Sequence, residues 1–192
     1  MILVIVFVVV KLKNKKDVEA PKEKTALIEL SDDKKPIVSL KPSEDGHYLK
    51  LKIEKLNFGA DSMDYELVYQ AKDIQQGVPG TVKIEGKDSF EADLLLGSES
   101  SGKFRYDEGV EFGTLSLRFR NSEGELMVDF STDFHLQTNT KELSSVDGNF
   151  KYELEKIEKG VYYVTMKTFG QVDSSKVVAS KDGYAIFSSI RN

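Results

Sequence analysis

Gly113-Thr-Leu-Ser-Leu-Arg-Phe-Arg-Asn-Ser-Glu-Gly-Glu-Leu-Met-Val-Asp-Phe-Ser-Thr-Asp-Phe-His-Leu136 alternates apolar and polar side chains on either side of Asn121-Ser122-Glu123-Gly124. Before the break Leu115, Leu117 and Phe119 alternate with Ser116, Arg118 and Arg120; after it Leu126, Val128, Phe130, Phe134 and Leu136 alternate with Met127, Asp129, Ser131, Asp133 and His135. A period of two gathers one set on a single face of a β-strand, whereas a helix needs a period of 3.6. The stretch therefore reads as a hairpin turning at Asn121–Gly124. A lone hairpin is marginally stable in water, so its apolar face has to press against another layer. The fold expected is all-β, an antiparallel β-sandwich.

Working outward, short apolar runs separated by turn residues support the same class. Strands are expected at Thr25 to Leu30, Ile37 to Leu40 and His47 to Leu56, where Leu49, Leu51 and Ile53 alternate with Lys50, Lys52 and Glu54. Further strands carry Tyr65, Leu67 and Tyr69, then Val82 and Ile84, then Phe90, Ala92, Leu94 and Leu96. Asp73 to Gly80, ending Gly77-Val78-Pro79-Gly80, reads as a loop, as do residues 97–112 and the polar connection Asn139 to Ser145. A final group of strands is expected at Asn149 to Ile157, Val161 to Phe169, Ser175 to Ser180 and Tyr184 to Ser188. The expected organisation is a hydrophobic segment at 1–10, a polar linker at 11–24, a sandwich at 25–138 and C-terminal strands at 139–192 that pack on or continue it. Asp45-Gly46-His47-Tyr48 and Asp147-Gly148-Asn149-Phe150 echo one another, each leading into a strand. No window carries a helical apolar period with a capping signal.

With 192 residues the chain is long enough to bury a core without covalent staples, and it has no cysteine. That removes disulfides, thiolate metal sites and cysteine nucleophiles together. The formal charge of −5, from 27 basic and 32 acidic residues with interleaved signs, offers no positive track for a phosphate backbone. Nucleic acid is not an expected partner.

Ile2, Leu3, Val4, Ile5, Val6, Phe7, Val8, Val9 and Val10 form an unbroken apolar run that ends at Lys11-Leu-Lys-Asn-Lys-Lys16. As a helix it would rise about 15 Å, roughly half of the hydrocarbon thickness. It is expected to be the C-terminal end of a longer membrane anchor. Two other readings stay open: a buried strand, to which β-branched residues are suited, and a donor strand that completes the sheet of a neighbouring copy, so that self-assembly is a further expectation. The lysines that follow favour the cytoplasmic side by the positive-inside bias, which opposes export. Asn14 to Lys24 is polar and reads as a tether.

Candidate chemistry is sparse. Gly97-Ser-Glu-Ser-Ser-Gly-Lys103 has the spacing of a phosphate-cradling loop, but Phe104 stands where a magnesium-binding hydroxyl is required and no helix follows. His47 and His135, the only histidines, read as surface residues with no companion ligands at metal spacing. Asp129, Asp133 and Asp107-Glu108 read as solvated carboxylates. No catalytic, cofactor-binding or metal-binding residue is assigned, no cofactor is expected, and the chain reads as no enzyme. Of the eight tyrosines, Tyr65 and Tyr152 fall on apolar phases as core residues, while Tyr106 and Tyr163 are the candidates for a recognition surface.

The stretches Leu94 to Val110, Gly113 to Arg120 and Asp133-Phe-His-Leu-Gln137 resemble those of uncharacterised bacterial membrane-anchored, exported β-sandwich proteins, over most of residues 25–190. The architecture is also similar to immunoglobulin-like and fibronectin type III sandwiches, without the cysteine pair and core tryptophan that mark true immunoglobulin domains. The resemblance implies an extracytoplasmic location, at the cell surface or in the periplasm, and no site residues. The function expected is that of a non-enzymatic, membrane-tethered module binding an unidentified protein partner. A filament or surface-layer subunit using residues 2–10 as donor strand is the alternative, and a carbohydrate-binding module or hydrolase a lesser one.

Overall fold

A computed structural model describes residues 27–72 and 74–190, and every strand pairing among them is antiparallel. In chain order the strands are β1 (Ile37–Pro42), β2 (Tyr48–Glu54), β3 (Ser62–Gln70), β4 (Gln75–Lys83), β5 (Ser89–Leu95), β6 (Gly97–Ser100) and β7 (Lys103–Tyr106). Then follow β8 (Phe112–Arg120), β9 (Leu126–Thr138), β10 (Glu142–Ser144), β11 (Lys151–Glu153), β12 (Tyr162–Lys167), β13 (Ser180–Lys181) and β14 (Tyr184–Ser188). One sheet has the order β1-β2-β5 and another, of seven strands, the order β13-β14-β12-β9-β8-β3-β4; β6–β7 and β10–β11 are two-stranded ribbons. The apolar decapeptide at 1–10 and the linker at 11–24 lie outside the described residues.

The Gly113 to Leu136 stretch forms β8 and β9, turned where the sequence predicts. Asn121 closes the turn: its side-chain oxygen accepts from the amides of Glu123 (3.0 Å) and Glu125 (2.9 Å), while its carbonyl accepts from Gly124 N (3.0 Å). Gly124 has φ +80°, which a residue without Cβ adopts cheaply. Pairing runs from Phe112 opposite His135 to Phe119 opposite Val128, then skips Met127 so that Arg120 faces Leu126. This bulge turns the Met127 carbonyl outward, where it accepts from Ile28 N at 2.8 Å. Leu30 packs against the main core, and the described part of the segment, Leu27 to Leu30, forms no strand where the sequence predicted one.

The two sheets share one core. Leu40, Leu49, Leu51, Ile53 and Leu94 of the small sheet meet Met63, Leu67, Leu115, Leu117, Phe119 and Phe134 of the large one in a single buried cluster. Burying each such side chain contributes roughly 1.5–3 kcal/mol relative to leaving it in water. Where the small sheet ends beyond β1, a strap at residues 169–178 covers the large sheet instead. Gly170 N donates to the Pro36 carbonyl at 3.0 Å, and Phe169 lies 4.7 Å from the Phe130 ring.

At its β12–β14 end the large sheet is covered on both faces. Val164, Met166, Ala185 and Phe187 point into the main core. Tyr163, Tyr184 and Ile186 point the other way, into a second cluster closed by Leu143, Phe150, Leu154 and Val161 on and around the β10–β11 ribbon. Tyr163, expected at a recognition surface, is 1% exposed and donates its hydroxyl to Glu158. Double coverage is the reason. Tyr152, expected in the core, is instead exposed on the outside of β11.

Four further expectations are corrected. Asp73 to Gly80 is not all loop: Gln75 onward is β4, an edge strand, where Pro79 needs no donor on its open side. Gly80, opposite Tyr65, leaves the space that the Tyr65 ring fills, so a Cβ there would collide with it. Residues 97–106, expected as loop, are the β6–β7 ribbon, and the polar connection at 139–145 contains β10. Ser175 to Ser180 is no strand; Ser174–Lys176 makes a 3₁₀ turn capped by Asp173, and only Ser180–Lys181 pairs.

The echo seen in the sequence is structural. Ser43 Oγ donates to Asp45 Oδ1 (2.6 Å), which also accepts from His47 N (3.0 Å), while Tyr48 N donates to Ser43 Oγ (3.0 Å). Ser145 Oγ donates to Asp147 Oδ1 (2.6 Å), Asn149 N to the same oxygen (3.1 Å), and Phe150 N to Ser145 Oγ (3.0 Å). Gly46 and Gly148 take φ +74° and +71° at matching places. The same six-residue circuit thus joins β1 to β2 and β10 to β11. In each, the serine hydroxyl and the following amide hold the aspartate below the usual carboxylate range.

Replacing Phe119 by Ala is expected to lower unfolding free energy by about 3–5 kcal/mol, whereas Arg118→Ala, on the outward face, shifts it by under roughly 1 kcal/mol. Urea titrations of the two variants followed by circular dichroism provide the comparison, and equal losses would contradict the assignment of faces.

Candidate functional site

β5 does not end at the margin of the small sheet. Leu96 N donates to the His47 carbonyl (2.8 Å), Asp107 N to the Leu96 carbonyl (3.0 Å), and beyond Leu96 the chain continues as β6 and returns as β7. The tip is the two-residue turn Ser101-Gly102 with φ +53° and +75°, both positive as a hairpin turn matched to strand twist requires. Gly102 N donates to Glu99 Oε1 at 3.2 Å. The Gly97 to Lys103 stretch is thus a hairpin, neither a phosphate cradle nor the loop the sequence predicted.

The ribbon has two unlike faces. Directly opposed residues share a face, so Glu99 lies with Phe104 and Gly97 with Tyr106, while Ser98 lies with Arg105 and Ser100 with Lys103. One side is aromatic and the other cationic. Gly97 is required here, because a Cβ would run into the Arg105 carbonyl.

Onto the aromatic side the β1–β2 turn delivers His47 and Tyr48. The His47 ring stacks on Tyr106 at 3.8 Å with the planes 6° apart; Phe104 stands parallel on the same strand at 6.3 Å, and Tyr48 meets Tyr106 edge-on at 6.4 Å. Burial, then the neighbouring Tyr106, pushes the Tyr48 phenol up. Phe104 is 52% and Tyr106 39% exposed. The base of the ribbon is fixed to the core by Tyr69, whose hydroxyl donates to Asp107 Oδ2 at 2.9 Å and whose phenol is pushed well up by burial and by that carboxylate.

Tyr106 therefore sits in an exposed aromatic row, while its companion candidate Tyr163 is buried. Sequence reasoning missed Phe104 and His47. Lys103-Phe-Arg-Tyr106 does alternate, but over four residues, too few to be told from loop. His47 joins through the fold alone.

The remaining candidates have structural duties. Asp133 accepts from Thr114 Oγ1 at 2.7 Å, Asp129 lies across from Arg118, and Asp107 holds Tyr69. Among the described residues, no group of three His, Asp or Glu side chains is placed to hold a metal ion, and no helix is long and apolar enough to cross a membrane. His135, expected at the surface, is half-buried beneath β10: its Nδ1 lies 2.8 Å from the Ser144 carbonyl, so that nitrogen carries the proton. Gln137 beside it accepts from Ser144 N at 2.9 Å, and together the two side chains fasten β10 onto the outer face of β9.

Comparison with protein-family models, with curated proteins and with solved structures gives no match.

Burial lowers the His135 pKa below its ordinary 6.5, outweighing the Ser144 carbonyl and Glu111. The folded chain accordingly resists protonation more than the unfolded chain does. Stability contributed above pH 6.5 is lost as pH falls through that value towards the folded pKa. Urea midpoints measured at pH 7.5 and 5.5 should show a decline that His135→Gln removes; an identical decline in the variant would place its cause elsewhere.

Proposed function

We propose that the chain is a non-enzymatic, immunoglobulin-like β-sandwich that works outside the cytoplasm, held to a membrane through its N-terminal apolar segment, and that it binds a protein partner through the β6–β7 ribbon. The observation that carries this reading is the exposed row His47, Tyr106 and Phe104 on a rigid extension of β5. Tyrosine and phenylalanine on a stiff support supply contact area at little entropic cost, which is how anchor residues of interfaces work. Stacked rings also favour a protein over a sugar. A pyranose needs an open aromatic face, and the Tyr106 ring is stacked on His47 at 3.8 Å. Arg105 and Lys103 on the reverse side add a cationic flank. The immunoglobulin-like type is supported by two antiparallel sheets meeting face to face over one core.

One observation favours a second reading, in which residues 2–10 of one copy add as a strand to another. β5 is the last strand of its sheet, and Phe90 and Ala92 on it remain half-buried. On that reading, removing residues 1–10 abolishes assembly; on the first it releases a folded monomer from membranes.

The direct test compares the full chain with a Phe104→Ser/Tyr106→Ser variant in crosslinked envelopes. The wild type should retain a discrete protein partner that the variant loses by about tenfold or more, with the unfolding midpoints alike because both side chains are exposed. Equal capture by both chains would remove the ribbon from the interface.

A further inference from the structure

The aromatic side of the β6–β7 ribbon also carries charge. Glu99 lies directly opposite Phe104 in the register, so the carboxylate and the ring stand on one face with their Cβ atoms about 5 Å apart. Four aromatic rings are exposed among the described residues, and they differ in what faces them: Tyr106 has Gly97 across from it, Phe112 has His135, and Tyr152 has Leu143. Phe104, the most exposed of the four at 52%, is the one set against a carboxylate.

That carboxylate is held but not neutralised. Glu99 Oε1 accepts from Gly102 N at 3.2 Å, which uses one of about four acceptor positions and leaves the negative charge uncompensated. No lysine or arginine among the described residues pairs with it, whereas Glu91, Asp93, Glu142 and Glu153 on other strands each pair with a lysine. Lys103 and Arg105 of the same ribbon belong to its opposite face. A second carboxylate stands close. After burial and Tyr106, both Asp45 and Glu99 push the Tyr48 phenol up, and Asp45, bonded to Ser43 Oγ and His47 N, likewise has no lysine or arginine partner among the described residues.

An exposed ring beside an unpaired carboxylate is matched by one kind of side chain. A leucine or phenylalanine of a partner would cover the ring but shut the neighbouring charge away from water without compensation. Another carboxylate would be repelled. A lysine meets the charge as a point, whereas the planar guanidinium of arginine lies flat on a ring and forks its N–H donors to a carboxylate at the same time. With Glu99 and Phe104 directly opposed, both contacts fall within the span of one arginine head group.

We infer that the anchor this ribbon takes from its partner is an arginine, its guanidinium laid over the Phe104 ring and donating to Glu99. The inference rests on the reading of the ribbon as a protein-binding element and adds the chemistry of what is bound. It also fixes which way round the partner sits, because the face that carries Lys103 and Arg105 repels the same side chain.

Selection of random dodecapeptides displayed on phage against the full chain, with binders to the Phe104→Ser/Tyr106→Ser variant removed, tests it. The selected peptides are expected to share an arginine. In calorimetric titrations of one such peptide, replacing that arginine by citrulline, which keeps the shape and loses the charge, should weaken binding by about tenfold, and lysine by a smaller factor. Glu99→Gln should weaken the arginine peptide by about tenfold and the citrulline peptide by under about twofold, since the two changes remove one contact. Arg105→Gln on the reverse face should leave affinity as it is, and the urea midpoints of both variants should match the parent. The inference is overturned if no ribbon-dependent peptide is selected, if the peptides share no arginine, or if the losses from Glu99→Gln and from citrulline simply add. Partner capture from envelopes that depends on Phe104 and Tyr106, with peptides lacking arginine, would keep the ribbon as the interface and remove arginine from it. Arginine peptides that depend on Glu99, with equal envelope capture by the serine variant, would support the arginine site and remove the ribbon from the envelope interface.

Discussion

Water is excluded from the middle of one side of the seven-stranded sheet, and most of what the molecule displays elsewhere follows from that exclusion. Leu115, Leu117 and Phe119 on β8 and Phe134 on β9 are completely covered, and they are covered because β1, β2 and β5 lay Leu40, Leu49, Leu51 and Ile53 over them. Three strands cannot roof seven. At the β12–β14 end the strap and β1 complete the cover, and on the opposite face the β10–β11 ribbon shields Tyr163 and Ile186. At the other end β3 and β4 are left with a thinner cover, where Tyr65, Val78, Val82 and Phe90 remain half-buried.

The same mismatch explains why the features that invite a ligand are peripheral. The aromatic ribbon grows from β5 after it passes the end of its partner β2, and a recess opens where the strap bridges the small sheet and β14. Both are made by elements that exist to finish the roof or that overrun it. A core covered in this way carries its excursions at the margins, where loops and ribbons stand clear of the packed strands.

How far the residues alone reveal this can be followed case by case. β2, β8 and β9 are legible because each has one wet face, so that alternation survives intact. β12 and β14 lose it because Tyr163 and Ile186 are covered on the side where polar residues would otherwise stand, and this is why Tyr163 looks like a surface tyrosine. β4 is concealed by Gly77, Pro79 and Gly80, residues of turn character that an edge strand tolerates on its open side. The ribbon joins two four-residue strands to a histidine brought in by another hairpin; no local pattern contains that meeting.

The twin circuits at Ser43 to Tyr48 and Ser145 to Phe150 bear on how such a chain reaches its shape. Sheets like these are assembled mainly from partners distant in sequence, and topologies of that kind are slow to form because long loops must close before any contact rewards them. Each circuit is complete within six residues and draws its bonds from a serine, an aspartate and backbone alone. It fixes which residue of one arm meets which of the next before distant strands arrive, and so prevents the one-residue slip that would turn an oily row towards water. Two such clasps, one joining β1 to β2 and one joining β10 to β11, supply ready-aligned hairpins onto which partners more distant in sequence condense.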